Sequence, residues 1–288
     1  MSSSAPSGVT VDVPDALAAV ADATPLVNAL TNEVTVNAVA NVILHWGGLP
    51  VMSDDEREVA DMVAGAQACL LNMGTVSETG EAAMLAAGHA ANDHGVPVVV
   101  DPVGVGATPT RSRVAARLVT DLDAAVVKGN YGEVSALAAD VADHDGSAGE
   151  VRGVESVGEY ADIAETAVAL ARETGAVVVA SGEVDVVATG DDAHEVHAGD
   201  PAMGTVVGTG CMLGGTLAAF AGSDLDTHRA ALAGTVAFGL AGEAAAAEEF
   251  GEYHGPASYE TAFRDAVAGL AGTEPETGEE RVERVVGR

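Results

Sequence analysis

The sequence predicts an α/β fold in which helices cover both faces of a mostly parallel central sheet. Two observations predict it. Short apolar runs alternate with segments whose apolar residues recur at helical spacing, which is the pattern of repeated βαβ units. Several of the short runs are apolar at every position, as in strands buried on both faces of a parallel sheet. A sheet of this kind is covered by the helices that connect its strands.

The strand-like runs are, in order, PLVNAL (25–30), LPVM (49–52), ACLLNMG (68–74), PVVVD (97–101), AAVVKGN (124–130) and AVVVASG (176–182). Helical spacing marks residues 32–47, 54–66 and 77–95 between them. The first of these stops at Gly47-Gly48, the second has acidic residues in its first turn, and Gly95 can end the third. A further helix follows the glycine-rich stretch at the start of 204–220.

Three regions depart from this alternation. Residues 138–158 are polar, acidic and glycine-rich, which predicts a surface excursion, and the ends, 1–12 and 272–288, are expected to be poorly ordered tails. His194 and His197 lie between Asp-rich turns, a context that favours an exposed hairpin over a metal site. Because neither a repeat nor an internal linker is visible, we interpret residues 1–288 as a single domain.

The charge is strongly one-sided: 44 acidic residues face 12 basic ones, giving a formal net charge of −32. This excludes the usual electrostatic route to nucleic acid and disfavours an anionic membrane surface. Self-repulsion of such a charge destabilises a compact state, and molar salt screens it because the Debye length falls to about 3 Å at 1 M. With Lys128 as the only lysine, the composition predicts a halophilic protein.

Other sequence features point to a cytoplasmic protein. The start MSSSAPSGVTVDVPD has neither a positive segment nor an apolar one, so we expect no targeting peptide. The longest stretch dominated by Ala, Gly and Val runs over 230–242, which is shorter than the roughly 18 residues of a membrane span. Cys69 and Cys211 give no disulfide framework.

Polar residues follow several of the predicted strands. Asp101 ends one strand, Lys128 and Asn130 end another, with Glu133 shortly after, and Ser181 ends a third. Ligands of open α/β sheets bind outside the carboxyl ends of the strands. Asp101 and Glu133 offer the oxygen donors that suit Mg²⁺, although each is also one acid among many.

The turn Gly208-Thr209-Gly210-Cys211 leads directly into a helix rich in Ala and Leu. Glycines allow close approach of the backbone, and the helix directs unpaired N–H groups and its positive dipole end at the turn. The turn is not a dinucleotide fingerprint, since its sixth position is Leu213, and it is not a Walker loop. By itself it predicts either an anion site or a close helix–sheet contact.

The order of these elements resembles the hydroxyethylthiazole kinases, which have the ribokinase-like fold. The matching pieces run from about Pro25 to about Leu270: PLVNALTNEVTVNAVANVIL, GGLPVMSDD, LLNMGT, GVPVVVDPVGVGATPTR, VKGNYGEV, SGEVD and VVGTGCMLGG. The resemblance implies transfer of a phosphoryl group from ATP to the hydroxyl of 4-methyl-5-(2-hydroxyethyl)thiazole in thiamine biosynthesis or salvage. It also implies Mg²⁺ as cofactor and a homotrimer with pockets shared between subunits.

The resemblance assigns the substrate and catalytic roles by position. Met52 would line the thiazole pocket with Asn32 near it. The turn residues Gly208, Thr209 and Gly210 would stabilise the transferring phosphate, and the two glycines would also contact the substrate. Cys211 stands where many ribokinase-like kinases carry an aspartate base, and we interpret it first as a positioning residue.

The ATP and metal roles follow in the same way. Lys128, Ser181 and Asn130 would contact the nucleotide, with Lys128 at the phosphates, and Asp101 and Glu133 would organise Mg²⁺. A lysine that must meet a phosphate inside a cleft is harder to replace than one on the surface, which would explain why this one is kept.

One departure from the family pattern concerns the first turn. The family usually shows His, a variable residue and Ile before its Thr-Asn, whereas this chain has Asn28, Ala29 and Leu30. Three alternatives remain open: a hydroxymethylpyrimidine kinase, a nucleotide-dependent NAD(P)HX dehydratase, which would be expected to keep an aspartate at position 211, and a non-catalytic binding protein of the same fold.

Overall fold

The structure, a computed structural model, describes residues 11–144, 162–273 and 275–287. Its strands form one sheet of nine in the order β2-β1-β3-β4-β5-β6-β7-β8-β9. The pairs from β2 to β6 are parallel and the last three pairs are antiparallel. The strands are β1 (Leu26–Leu30), β2 (Leu49–Val51), β3 (Ala68–Asn72), β4 (Val98–Asp101), β5 (Val126–Asn130), β6 (Val177–Ser181), β7 (Asp185–Ala188), β8 (Ala193–Val196) and β9 (Val282–Val286).

Ten α-helices occur in the described part of the chain. They are α1 (Val13–Ala23), α2 (Val36–His45), α3 (Val59–Ala64), α4 (Glu78–His94), α5 (Pro109–Thr120), α6 (Tyr131–His144), α7 (Ile163–Thr174), α8 (Thr209–Ala221), α9 (Thr227–Ala246) and α10 (Pro256–Gly269). Helix α4 starts and stops as its sequence indicates: the Ser77 hydroxyl accepts the Gly80 N–H at 3.0 Å, and Gly95 closes the helix at a φ of 68°.

Two hydrophobic cores lie on opposite faces of the sheet, because successive strand side chains point to opposite sides. In β3, Leu70 packs with α1, α2, α8, α9 and α10, whereas Cys69 and Leu71 pack with α3 to α7. Cys69 is fully buried, and burial raises the pKa of its thiol to about 12. The layered architecture confirms the predicted α/β fold with helices on both faces. None of the described helices is both long enough and apolar enough to cross a lipid bilayer.

Parts of the predicted tails are ordered. At the C-terminal end, β9 pairs with β8 along its outer edge. Arg281, just before β9, forms two hydrogen bonds with the Glu243 carboxylate of α9, each 3.0 Å long, which holds this segment against the fold. At the other end, the Asp12 carboxylate accepts the Asp15 N–H and caps α1. The first part of the predicted 138–158 excursion belongs to α6; residues 145–161 and 1–10 lie outside the described part of the chain.

Candidate active site

A chain of buried polar side chains crosses four neighbouring strand ends at the carboxyl edge of the sheet. The Asn32 amide, just after β1, donates to Asn72 Oδ1 at 3.1 Å. The Asn72 amide, at the end of β3, donates to Asp101 Oδ2 at 2.6 Å. Lys128 Nζ, on β5, lies 3.4 Å from Asp101 Oδ1. Because β1, β3, β4 and β5 are adjacent and parallel, residues distant in sequence meet at this edge.

Asp101 and Lys128 form a buried ion pair. Asp101 is inaccessible to solvent and Lys128 is 3% exposed. Burial raises the pKa of Asp101 to about 6, partly offset by Lys128 and reinforced by the nearby Glu133 carboxylate. Burial alone would lower the pKa of Lys128, but Asp101 and Glu133 outweigh it and hold that pKa above its ordinary value. Lys128 is therefore a fixed positive charge inside the fold, and its attraction offsets only part of the effect of burial on the pKa of Asp101.

Helix α8 begins directly against this pair. A Cβ on Gly210 would lie 3.0 Å from Lys128 Nζ, and one on Gly214 would lie 3.1 Å from Asp101 Oδ2. Gly208 precedes the helix with a φ of 91°, a conformation that residues other than glycine rarely adopt. A Cβ at this position would also lie 2.6 Å from Thr35 Cγ2. The first glycine thus makes the turn, and the other two let the helix approach the ion pair.

The side chains of Thr209 and Cys211 differ in what they face. The Thr209 hydroxyl hydrogen-bonds the carbonyl oxygens of Met203 at 2.8 Å and Val206 at 2.9 Å, so it is committed to the preceding loop. Cys211 is 8% exposed, and its Sγ lies 3.8 Å from the Asn32 amide nitrogen. The hydroxyl proton of Thr209 is therefore engaged, which leaves its backbone N–H as the donor that it can offer a ligand, whereas Cys211 belongs to the polar chain at the strand ends.

Glu133 and Asn130 fix the start of α6. The Glu133 carboxylate accepts the N–H of Gly104 at 2.7 Å through Oε1 and that of Asn130 at 2.8 Å through Oε2. In return the Asn130 side-chain oxygen accepts the Glu133 N–H at 2.9 Å. This reciprocal cap ties the loop after β4 to the end of β5. Each carboxylate oxygen has a further acceptor position, so Glu133 retains the capacity to bind a cation.

A cavity of about 690 Å³ opens beside the start of α8. Its wall includes Ser181 at the end of β6 and Gly182 after it, Thr209 and Gly210 of α8, and Phe238 of α9. The Ser181 hydroxyl donates to the Gly129 carbonyl at 3.3 Å, which joins the ends of β5 and β6. The cavity has the size of a small-molecule site, and it brings together Ser181 and the α8 turn among the residues expected from the sequence.

Met52 and Asn28 lie at the other side of the polar chain. Met52 directly follows β2, is partly buried and packs against the hydrophobic core on the face of the sheet that α2 and α8 cover. Buried Asn28 exchanges two hydrogen bonds with the Ser53 backbone, each 3.2 Å long. Asn28 occupies the position where the family pattern has His, so here that position anchors the segment carrying Met52.

Three residues that shape this site were missed by sequence reasoning. Asn72 links Asn32 to Asp101, and a signal for it was present: like Asp101, it is the polar residue that ends a fully apolar strand. Arg111 of α5 donates to the carbonyl oxygens of Met73, Gly74 and Val103, which braces the loops after β3 and β4. Gly214 lies within an ordinary apolar helix pattern, so only the packing of α8 on Asp101 reveals its role.

The sequence as a whole matches a known family. The family model described as hydroxyethylthiazole kinase family matches residues 17–272. The chain belongs to the hydroxyethylthiazole kinase family. This confirms the resemblance found in the sequence.

Relatives in the hydroxyethylthiazole kinase family match over most of their length. The hydroxyethylthiazole kinase of Haloquadratum walsbyi is 64% identical, covering 91% of this chain and 87% of its own length. That of Natronomonas pharaonis is 62% identical over 96% of each chain. Both come from halophiles. The solved structure of the hydroxyethylthiazole kinase protein from Pyrococcus horikoshii OT3 is 31% identical with a TM-score of 0.80, covering 95% of this chain and 98% of that one.

More distant solved structures show the fold alone. A ribokinase-like superfamily protein from Enterococcus faecalis V583 is 12% identical and gives a TM-score of 0.61 over 94% of this chain and 91% of that one. The ribokinase-like class predicted from the sequence is therefore confirmed at the level of architecture.

Proposed function

We propose that this hydroxyethylthiazole kinase family member transfers a phosphoryl group from ATP to the hydroxyl of 4-methyl-5-(2-hydroxyethyl)thiazole. Beyond family membership, one observation carries the proposal: the buried Lys128 ammonium lies directly beneath the first turn of α8. Phosphoryl transfer needs mainly positioning and charge stabilisation, and these two features supply both at one point.

The start of α8 is suited to the transferring phosphate. The unpaired N–H groups of the turn from Gly208 to Gly210 and the positive end of the helix dipole stabilise developing negative charge without reorganisation. Lys128 adds a full positive charge that burial prevents water from screening. Thr209 contributes through its backbone, since its hydroxyl is engaged with the preceding loop.

Cys211 acts in this proposal as a positioning residue for the acceptor hydroxyl. It shares the polar chain with Asn32, whose amide is oriented by Thr35 Oγ1 at 2.8 Å and Asn72 Oδ1 at 3.1 Å. A loose phosphoryl-transfer transition state needs little help from a base, so a thiol that orients the alcohol is sufficient. Met52, after the neighbouring strand end, would form part of the apolar wall for the thiazole ring.

The nucleotide would occupy the cavity between the end of β6 and the start of α8. Ser181 lies on its wall, and Asn130 ends the adjacent strand β5. ATP bound there with its phosphates toward Gly210 would meet Lys128 at the inner end. This orientation follows from the positive charge, because nearby Glu183, Asp185 and Asp200 on the wall would repel phosphates elsewhere.

Asp101 and Glu133 fit Mg²⁺ by their chemistry. Both offer carboxylate oxygens, and the Glu133 charge already contributes to the raised pKa of Asp101, so a divalent cation held by these residues would relieve their like-charge repulsion. When bound, Mg²⁺ would neutralise phosphate charge. Glu133 would be the better exposed of the two ligands, since Asp101 is buried against Asn72 and Lys128.

A homotrimer is consistent with the apolar surface at the mouth of this site. Val34 is 76% exposed and Val207 is 77% exposed. Val34 precedes Thr35 and Val207 precedes Gly208, and Thr35 and Gly208 pack against each other. Exposed apolar side chains next to a site mark a surface for association. We propose that a second copy of the chain covers them, which light scattering would test by measuring the molecular mass in molar KCl.

The deciding experiment is a kinase assay in molar KCl. The purified chain is incubated with Mg-ATP and, separately, the thiazole alcohol, hydroxymethylpyrimidine and hydrated NADH, and ADP and product are quantified. The proposal expects thiazole phosphate with ADP in equal amounts. Preferred turnover of hydroxymethylpyrimidine would show a pyrimidine kinase instead. Dehydration of hydrated NADH would show the lyase activity, and binding of a substrate without turnover would show a non-catalytic protein. Lys128→Met serves as the control, because it removes the charge assigned to the phosphates.

A further inference from the structure

A second group of ligand-type side chains lies at the antiparallel side of the sheet. Asp192 precedes β8, His194 lies on β8, and His228 lies in the first turn of α9. Each offers one potential ligand atom, and these three atoms lie within 4.8 Å of one another. The two imidazole rings are 5.4 Å apart, centroid to centroid, at an interplanar angle of 50°.

This group is separate from the active site. His194 pairs with Val187, Val187 pairs with Val179, and Val179 pairs with Lys128, so His194 lies level with Lys128 along the strands. Three strand spacings separate the two residues, or about 14 Å at the usual distance between neighbouring strands. The group therefore lies across the sheet from Lys128 and the α8 turn, among the antiparallel strands.

The two imidazoles lack the hydrogen bonds that buried nitrogen atoms normally make. His194 is 4% exposed, so the histidine that the sequence placed on an exposed hairpin is in fact buried. Its Nδ1, and Nε2 of His228, are buried without a hydrogen-bond partner in the described part of the chain. Unsatisfied buried polar atoms are uncommon and energetically costly, so both nitrogens require an explanation. Burial lowers the pKa of each imidazole, which favours the neutral form that binds metals.

We propose that Asp192, His194 and His228 bind a transition-metal ion of the Zn²⁺ class. Two imidazole nitrogens and one carboxylate oxygen are a donor set that Zn²⁺ accepts with a fourth position left to water, and imidazole ligands disfavour Mg²⁺ and Ca²⁺. Such an ion would add a direct link between the β7–β8 hairpin and the first turn of α9. Its role is structural, because Lys128 and the α8 turn lie about three strand spacings away across the sheet.

Two neighbouring side chains, Thr189 and Arg284, contact the Asp192 carboxylate and affect how it can bind a metal. The Thr189 hydroxyl donates to Asp192 Oδ1 at 2.6 Å, an outer hydrogen bond that orients the carboxylate. Arg284 of β9 lies 3.4 Å from Asp192 Oδ2 and neutralises it when the metal is absent. The metal and Arg284 therefore compete for the same carboxylate, and weakening Arg284 should strengthen metal binding.

Metal binding to the full chain tests the proposal. Metal-stripped protein in molar salt is titrated with Co²⁺, followed by visible absorption against a protein-free blank, and then with Zn²⁺ and with Mg²⁺. We expect one Co²⁺ per chain with the intense absorption of a four-coordinate ion, displaced by Zn²⁺ but not by excess Mg²⁺. Zn²⁺ should also raise the melting temperature, because it binds only the folded chain.

Variants identify the ligands. His228→Ala and Asp192→Asn should each weaken Co²⁺ binding by more than the roughly 10–100-fold typical of losing an outer-shell partner. Arg284→Gln should tighten it. The matched control is His197→Gln, which alters the neighbouring group of Glu195, His197 and Glu283 on β8, just after it and on β9, and which should leave the affinity unchanged. Because His228 and Asp192 are partly exposed, both variants are expected to fold, which circular dichroism verifies.

Three results would overturn the proposal. Absence of stoichiometric Co²⁺ binding by the wild-type chain would do so directly. Retention of wild-type affinity in His228→Ala or Asp192→Asn would place the ion elsewhere, for example at Cys211. Loss of binding in His197→Gln alone would assign it to the neighbouring group. None of these outcomes depends on kinase activity, so the metal proposal stands or fails independently of the proposed function.

Discussion

The buried Lys128–Asp101 pair gives the sharpest test of the site, through replacement of Lys128 by Met. Methionine keeps most of the side-chain length but leaves Asp101 buried with the Asn72 amide as its remaining side-chain partner among the described residues. Removing one member of a buried ion pair costs about 3–5 kcal/mol when the other stays charged. Asp101 can avoid part of that cost by taking up a proton, since its pKa is already about 6 in the presence of Lys128.

The sign of the pH dependence follows from that shift. Loss of Lys128, the largest influence lowering the pKa of Asp101, moves this folded-state pKa further above its unfolded value. A carboxyl group with a raised folded-state pKa contributes stability at low pH and loses it as pH rises through the folded value. The Lys128→Met variant should therefore be only mildly destabilised near pH 5 and destabilised by several kcal/mol near pH 9.

Urea unfolding in molar KCl, followed by circular dichroism from pH 5 to 9, measures the effect. The matched control is Arg229→Met, which removes an ion pair of nearly the same length, 3.5 Å to Asp15 rather than 3.4 Å, but with both side chains substantially exposed. That loss should stay below about 1 kcal/mol at every pH. Adding Asp101→Asn to Lys128→Met should abolish the extra pH dependence.

Two outcomes would refute the reasoning. If Lys128→Met loses no more stability at pH 9 than at pH 5, Asp101 is not an uncompensated buried carboxyl group. If the variant retains wild-type turnover and KM for ATP at a pH where it is folded, Lys128 serves the fold and not the phosphates.

Three further predictions concern the α8 turn and the charge. Gly208→Ala should lower turnover sharply and cost about 1–3 kcal/mol of stability, because φ is 91° and the new Cβ would lie 2.6 Å from Thr35 Cγ2. The control is Gly95→Ala, which has a φ of 68° and open space around the new Cβ, and which should strain the backbone without changing turnover. Equal activity of the two variants would contradict a role for the turn. Cys211→Ala should leave measurable activity and Cys211→Asp should match or exceed the wild type, whereas a near-dead Cys211→Ala beside an active Cys211→Asp in assays across pH would make the thiol the base. The melting temperature should rise from low salt to molar KCl because the net charge is −32, and melts that are flat or fall over that range would remove the halophilic interpretation.

The sequence determined the fold class because its signals are local. Continuous apolar runs such as residues 97–101 and 176–182 are typical of buried strands, and the helix of 77–95 carries its own cap and its terminating glycine. The polar residue that ends such a run lies at the carboxyl edge of the sheet, which is why the sequence alone places Asp101 and Lys128 at that edge. The family resemblance supplied the activity, since it depends on the order of motifs and not on their contacts.

Only the tertiary structure decided which of these side chains touch, because strand order and register bring together residues that no local pattern relates. Asn72 joins Asn32 to Asp101 because β3 lies between β1 and β4, and Gly214 matters because α8 packs directly on that carboxylate. The same holds at the other side of the sheet. His194 and His228 are 34 positions apart on a strand and a helix, and β9 pairs with β8 from a segment whose sequence is typical of a tail. Such contacts depend on the free energy of packing between distant segments, and the spacing of residues along the chain does not predict it.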